Sequence, residues 1–380
     1  MLKILIGMPA ADSWGGPISS EPPFTAALGK LDVEVVEKVY VFGDKEKPTS
    51  FFERIRRVLQ TAFRFRRILK KESFDIVHLN TAFDLKTILR DSFSLFVMKP
   101  RKAKVFLKLH GSEAQDFRET NFFARFLIRY ISRKVDGFGI HTSDELENFE
   151  ALGFDKNKFY FVKNAVTIHE RLPADFERKQ KENDEVFELL FVARFVPKKC
   201  LIQTIEACKI VKEKGYRFNL YCVGDGEMRE EAETLVRKYD LEKQVIFTGY
   251  IPEREVSAHF FECDILIFPT GYGEGFPNVF FKALSVGMPV VSTKFRAARD
   301  FLKEEKNYLA CTPEPESIAE KIIELIENKK LRQTMSENNF EFGKSLLPEN
   351  IAQEFLEIYT DILNENPKSK IQNPKSRCAE

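Results

Sequence analysis

Short apolar runs and amphipathic stretches alternate along this chain almost from its first residue. Leu2 to Ile6 is a continuous apolar run ending in the loop ADSWGGPISS, which predicts a strand buried on both faces. A helix is predicted from Pro22 to Leu31, then the strand VEVVEKVYVF, a basic helix over about 51–72, the strand DIVHLN, a further helical stretch and the strand KVFLKLH. Helix 121–134, strand GFGIHTS, helix 144–151 and the short strand FYFVKNA close this half. The run PADFERKQKENDE, 173–185, is polar without apolar periodicity and predicts a linker or exposed loop.

A second alternation follows: FELLFVARF, helix 201–214, FNLYCVG, helix 227–238, QVIFTG, helix 253–261, DILIFPT, helix 278–286 and PVVST. Helices are then predicted at 315–327, 332–342 and 349–363, the last with Ile351, Phe355, Ile358, Tyr359 and Ile362 at helical spacing. Strands alternating with helices of this length predict parallel sheets covered on both faces. The chain of 380 residues exceeds one ordinary core. The expected division is an N-terminal Rossmann-like domain over 1–170, a second over 171–345, a helix over 346–366 that packs back toward the first domain, and a flexible tail over 367–380.

Composition narrows the function classes. Against 59 basic residues stand 58 acidic ones, which excludes a globally basic nucleic-acid binder. Cys200, Cys208, Cys222, Cys263, Cys311 and Cys378 form no close pair, so small core residues in a reducing cytoplasm are expected. MLKILIGMPA has neither the length nor the cleavage pattern of a signal peptide, and no run approaches the ~20 apolar residues that span a bilayer.

Ligands of doubly wound sheets bind beyond the C-terminal ends of the strands. Four segments are predicted there: Gly15 and Gly16, His110 with Gly111, Arg194 to Lys199, and Thr270 to Asn278. The glycine pair can bring backbone close to a phosphate. Arg194 and Lys199 can neutralise a diphosphate and the charge it gains on leaving. In FPTGYGEGFPNVFFKALSVG, the amides from Glu274 through Gly275, Phe276, Pro277 and Asn278 are expected at the N-terminus of helix 278–286, an anion-favouring position. A carboxylate among them, Glu274, suits sugar hydroxyls better than phosphate. His78 in DIVHLN also ends a strand, where satisfied polar packing is the simpler expectation.

On these residues the chain resembles the retaining glycosyltransferases of family 4, with the GT-B fold of two Rossmann-like domains facing across a central cleft. The resemblance implies that Gly15 and Gly16 lie near the donor diphosphate, that His110 in KLHGSE reaches the transferred sugar, and that Arg194 and Lys199 bind the diphosphate, with Lys198 and Cys200 where the family has Glu and Gly. It implies structural roles for Gly224 and Gly249. Of the Asn-Gly-Val-Asp segment only Asn164 is kept. Glu274 matches the first of two glutamates spaced seven apart, and Lys282 stands at the second, which in the family accepts from both ribose hydroxyls. Lysine has no acceptor, a loss worth ~1–3 kcal/mol of donor binding.

The resemblance implies a metal-independent enzyme with no tightly bound cofactor and a UDP- or GDP-sugar as donor. Its acceptor is expected to be a saccharide or lipid-linked saccharide of cell-envelope polysaccharide or glycolipid biosynthesis. Two alternatives are a nucleotide-sugar-binding or regulatory protein weakened by Lys282 and a sugar-nucleotide epimerase of the same fold. The helix FFERIRRVLQTAFRFRRILKK, 51–71, mixes six arginines and two terminal lysines with an apolar stripe. It predicts an anionic membrane surface as partner, at the inner face of the cytoplasmic membrane.

Overall fold

The computed structural model describes the chain except residues 11–12, 15, 41–43, 46–49, 101, 118–121, 169–177, 272 and 366–380, with backbone alone at 13–14, 44–45 and 253–254. The chain divides into two compact units, residues 1–165 with 348–380, and residues 166–347.

The first unit runs β1 (Leu2–Met8), β2 (Ser13–Trp14), α1 (Gly16–Leu28), β3 (Val33–Val39), β4 (Asp44–Lys45), α2 (Phe51–Lys71), β5 (Ile76–Thr81), α3 (Leu85–Met98), β6 (Lys104–Leu109), α4 (Phe122–Lys134), β7 (Gly137–Ile140), α5 (Ser143–Ala151) and β8 (Phe159–Phe161). Six strands form one sheet in the order β3-β1-β5-β6-β7-β8, every pair parallel. Alternate residues leave opposite faces. On β1, Leu5 joins the core under α2 to α5, while Ile4 and Ile6 join a second core with Phe24 of α1.

The helix expected from Pro22 begins six residues earlier, at Gly16, and runs through Pro22 and Pro23. Proline favours a first helical turn, hence the expectation. Here burial of Ser20, Glu21 and Phe24 overrides it. The Ser19 and Ser20 hydroxyls donate to the Gly16 carbonyl at 3.0 and 3.3 Å.

The second unit contains β9 (Phe187–Val192), α6 (Leu201–Glu213), β10 (Phe218–Val223), α7 (Arg229–Lys238), β11 (Val245–Gly249), α8 (Glu253–Glu262), β12 (Ile265–Phe268), α9 (Asn278–Ser285), β13 (Val290–Thr293), α10 (Arg296–Phe301), β14 (Leu309–Cys311), α11 (Pro315–Glu327) and α12 (Lys329–Lys344). The short α10 and β14 were not anticipated. The order β11-β10-β9-β12-β13-β14, all parallel, reverses direction between β9 and β12. Five cysteines are buried and unpaired in this unit, as expected of small core residues; Cys378 lies outside the described residues.

The polar run before β9 is anchored where the sequence suggested an exposed linker. Residues 173–177 lie outside the described part, but Arg178 donates to the carbonyls of Val286 at 3.1 Å, Cys263 at 2.5 Å and Phe260. These carbonyls close α8 and α9, helix ends that attract a cation.

The last helix, α13 (Pro348–Leu363), belongs to the first unit. It lies against α1 and places Ile351, Ala352, Phe355, Tyr359 and Ile362 on the sheet face that Ile4, Ile6 and Phe106 present. The approach is close: a Cβ at Gly137 would sit 2.6 Å from Ile362 Cδ1.

Candidate active site

In the second unit, the switch point between β9 and β12 splays two loops apart at the strand ends, the usual ligand position of this topology. The first carries Arg194 to Cys200, and the second Thr270 to Asn278. They are tied by the Gly271 N–H, which donates to the Lys198 carbonyl at 2.7 Å. Behind the first loop, Gly224 takes φ 137°, and a Cβ there would fall 1.9 Å from the Ala193 oxygen. Only glycine allows that approach, which fixes where Arg194 leaves the sheet.

Arg194 is exposed, and no ion pair holds it among the described residues. Lys199 closes a single turn over Pro197–Lys199 and pairs with the Glu274 carboxylate. Thr270 Oγ1 also donates to Glu274 Oε1, at 3.3 Å. The Lys199 ammonium lies 5.4 Å from the Phe268 ring centre. The structure thus brings Lys199 and Glu274 into direct contact. Cys200, at the family's glycine position, adopts φ 57° and ψ 37°, a left-handed conformation that disfavours a side chain.

At the head of α9 the amide cluster is smaller than the sequence reading implied. Pro277 has no N–H and serves as N-cap without a side-chain hydrogen bond. Phe276 turns its ring into the core, stacked on Phe281 at 3.7 Å between centres. Glu274, Gly275, Phe276 and Asn278 each carry a backbone N–H in this segment, and half-buried Lys282 lies one helical turn past Asn278.

The first unit presents a different strand edge. Gly15 lies outside the described residues, and Gly16 is the first residue of α1. His110, directly after β6, has a side chain only 5% exposed. Its Nε2 lies 2.7 Å from Asn80 Oδ1 and 3.5 Å from Glu21 Oε1. Lys108 and Glu21 form a fully buried ion pair at 2.7 Å, and the ammonium also faces the Phe24 and Phe355 rings at 5.5 and 5.2 Å. His78 meets the expectation of satisfied packing only in part: Nδ1 lies 2.6 Å from the Tyr359 hydroxyl and the ring stacks on Phe355, but Nε2 is buried without a hydrogen-bond partner among the described residues. His141 Nδ1 lies 2.8 Å from the Val162 carbonyl, and Asn164 is buried.

Burial holds all three histidines below the ordinary range, with the Lys108 charge adding to it; His141 falls to about 3. For His110 the neighbouring His141 and His78 contribute as well. Each ring is therefore neutral at neutral pH.

Glu21, Asn80 and Lys108 were missed in the sequence. One signal was available for Lys108: it sits in KVFLKLH, a run read as a strand buried on both faces, where a cation demands a partner. Among the described residues no three histidine, cysteine or acidic side chains gather as a metal site, and no helix is long and apolar enough to cross a membrane.

Residues 174–342 match the family described as Glycosyl transferases group 1, and residues 20–170 match Glycosyltransferase Family 4. An uncharacterized glycosyltransferase of Methanocaldococcus jannaschii is 28% identical over 300 residues, 78% of each chain. The putative colanic acid biosynthesis glycosyltransferase WcaL of Escherichia coli is 34% identical over 125 residues, 32% of this chain and 31% of that one. The crystal structure of Anabaena HepE in complex with UDP-glucose superposes with a TM-score of 0.70 at 17% identity, over 95% of this chain and all of that one. Sucrose-phosphate synthase from Thermosynechococcus elongatus gives 0.71 at 16%, over 96% of this chain and all of that one. These likenesses establish the two-Rossmann-domain GT-B fold.

Proposed function

Because the chain belongs to the glycosyltransferases of group 1 and family 4, we propose that it moves a sugar from a UDP- or GDP-sugar to a saccharide or lipid-linked saccharide of the cell envelope, with retention at the anomeric carbon. Relatives named for colanic acid and amylovoran biosynthesis support the envelope assignment.

One observation supports the donor site above the rest: Arg194 and Lys199 follow β9 at the switch point, beside the loop that opens α9. Charge develops on the diphosphate as the glycosidic bond breaks. A fixed cation helps most where that charge appears. Lys199 has three donors, so it can serve Glu274 and a phosphate oxygen together. Glu274 then accepts from hydroxyls of the transferred sugar, and a role for His110 toward that sugar is the second part of the proposal. The departing phosphate, with its new negative charge, takes the acceptor proton on the same face, which retains configuration.

The test is turnover of UDP- and GDP-hexoses with and without a polyprenyl-linked saccharide, with product configuration read by NMR. Acceptor-dependent release of nucleoside diphosphate and a retained anomer support the reading. An inverted product overturns retention. Lys282 favours a second reading, a nucleotide-sugar binder without turnover, which would bind donor in calorimetry and release nothing.

The membrane partner is a proposal resting on α2. Phe51, Ile55, Leu59 and Phe63, one helical turn apart, are exposed, as is Phe52 at 81%. Thr61, Ala62 and Phe65 are the residues it buries. Arg57 pairs with Glu53, and Arg66 donates to the Val97 carbonyl at 3.0 Å, so these two arginines are engaged by the protein itself. Neutralising Arg56, Arg67, Lys70 and Lys71 together is expected to release the protein from vesicles containing phosphatidylglycerol. Unchanged co-sedimentation would remove the membrane from the account.

A further inference from the structure

The Lys108–Glu21 pair is costly. Two charges at zero exposure give up their hydration, and apolar residues of similar volume usually serve stability as well or better. What the pair touches explains its presence. Glu21 Oε1 takes the Lys108 ammonium, while Oε2 lies 3.4 Å from Asn80 Nδ2. The same Nδ2 donates to the Gly7 carbonyl at 3.0 Å. A carbonyl and a carboxylate only accept, so the nitrogen of the Asn80 amide must face them. The oxygen of that amide is thereby turned toward His110 Nε2, 2.7 Å away. An amide oxygen also only accepts, so Nε2 must carry the proton.

We infer that Asn80, oriented by Gly7 and by the Glu21–Lys108 pair, is a positioning residue that fixes His110 as the Nε2–H tautomer and leaves Nδ1 as the ring's acceptor. Along these contacts the donors run in one direction: Lys108 to Glu21, Asn80 to Glu21 and Gly7, His110 to Asn80. Four elements contribute, since Glu21 lies on α1, Asn80 on β5, Lys108 on β6 and Gly7 on β1. The charged and titratable groups around the ring are Glu21, Lys108, His78 and His141. The buried pair places opposite charges together, so it orients Asn80 without leaving a lone carboxylate beside the imidazole. A lone carboxylate there would draw a second proton onto the ring.

That His110 touches the transferred sugar rests on the function proposed above; its tautomer does not. The experiment is therefore spectroscopic first. In protein labelled with 15N-histidine, long-range proton–nitrogen correlations assign the protonated nitrogen of His110, with His110→Gln identifying its signals. The wild type is expected to show a proton on Nε2 and none on Nδ1 at pH 7. A proton on Nδ1 would overturn the inference.

Asn80→Asp keeps an acceptor for Nε2 but adds a negative charge. His110 is expected to become doubly protonated at a pH where the wild-type ring is neutral. Asn80→Ala is expected to give a mixture of tautomers, and an unchanged wild-type pattern in that variant would show that Asn80 fixes nothing. The double variant Glu21→Gln/Lys108→Met removes both charges at once and guards against a variant that merely unfolds. With folding verified by circular dichroism, it too is expected to show mixed tautomers, and a wild-type spectrum would remove the pair from the chain of orientation. If the tautomer is as inferred while Asn80→Ala turns over donor at the wild-type rate, the catalytic role of His110 fails and the positioning stands.

Discussion

The two sheets end in opposite ways at the C-terminal edges of their strands. The first unit fills its edge with its own polar groups: Glu21, Asn80, Lys108 and His110 are joined, and the two charged members are sealed from water. The second unit leaves an exposed Arg194 and ties Lys199 to Glu274 in a pair that keeps partial solvent contact. A completed network orients a group in advance, whereas an open cationic edge receives charge that arrives with a ligand. On the function proposed above, one fold serves positioning at one edge and capture at the other.

The contrast breaks most visibly through Lys108. Lys108→Met strands the Glu21 carboxylate, and ~3–5 kcal/mol of stability is expected to be lost in a urea melt. Adding Glu21→Gln should restore most of it. If single and double variants melt alike, the buried charges are not coupled.

At the open edge the effect should fall on turnover. Arg194→Ala is expected to lower kcat by ~100-fold with little change in melting, since the side chain is exposed. A matching loss of stability would instead make Arg194 part of the scaffold.

Acid separates the edges further. His78, His110 and His141 stay neutral in the folded protein, while in the unfolded chain they charge below about 6.5. The unfolded state then holds more protons, so stability falls as pH drops through that value. The expected slope is about 1.4 kcal/mol per pH unit for each histidine, continuing toward 3 for His141. Urea midpoints at pH 7, 6 and 5 measure it, and a flat profile would contradict the burial.

The smallest expected change is at Lys282. Lys282→Glu restores two acceptors one turn into α9, and calorimetry is expected to show about tenfold tighter binding of nucleoside diphosphate. Unchanged affinity would mean that position 282 is out of reach of the ribose.

Both sheets and the loops at their C-terminal ends were legible in the sequence, because parallel strands buried on both faces read as short apolar runs between amphipathic stretches. The position of Arg194, Lys199 and Glu274 beyond strand ends was legible for the same reason: each sits a few residues past such a run. Partners distant along the chain were hidden. Nothing local couples Glu21 to Lys108, 87 residues apart, and nothing in GFPN reveals that Phe276 spends its ring on Phe281. Pro22 and Pro23 concealed the first turns of α1, because proline is a good signal for a helix start and a poor one for a helix that burial holds together.

The helix at 348–363 has a consequence for synthesis. It covers the face of the first sheet shared by Ile4, Ile6 and Phe106, yet it is translated after the whole second unit. A nascent chain that has emerged only as far as residue 347 therefore carries a self-contained later half and an earlier half with one flank covered by α1 without α13. The part made first is expected to finish folding last. A chain truncated at 347 and released should accordingly be cut by protease within residues 1–165 and spared within 187–344. Equal resistance in both stretches would show that the early half closes without its final helix.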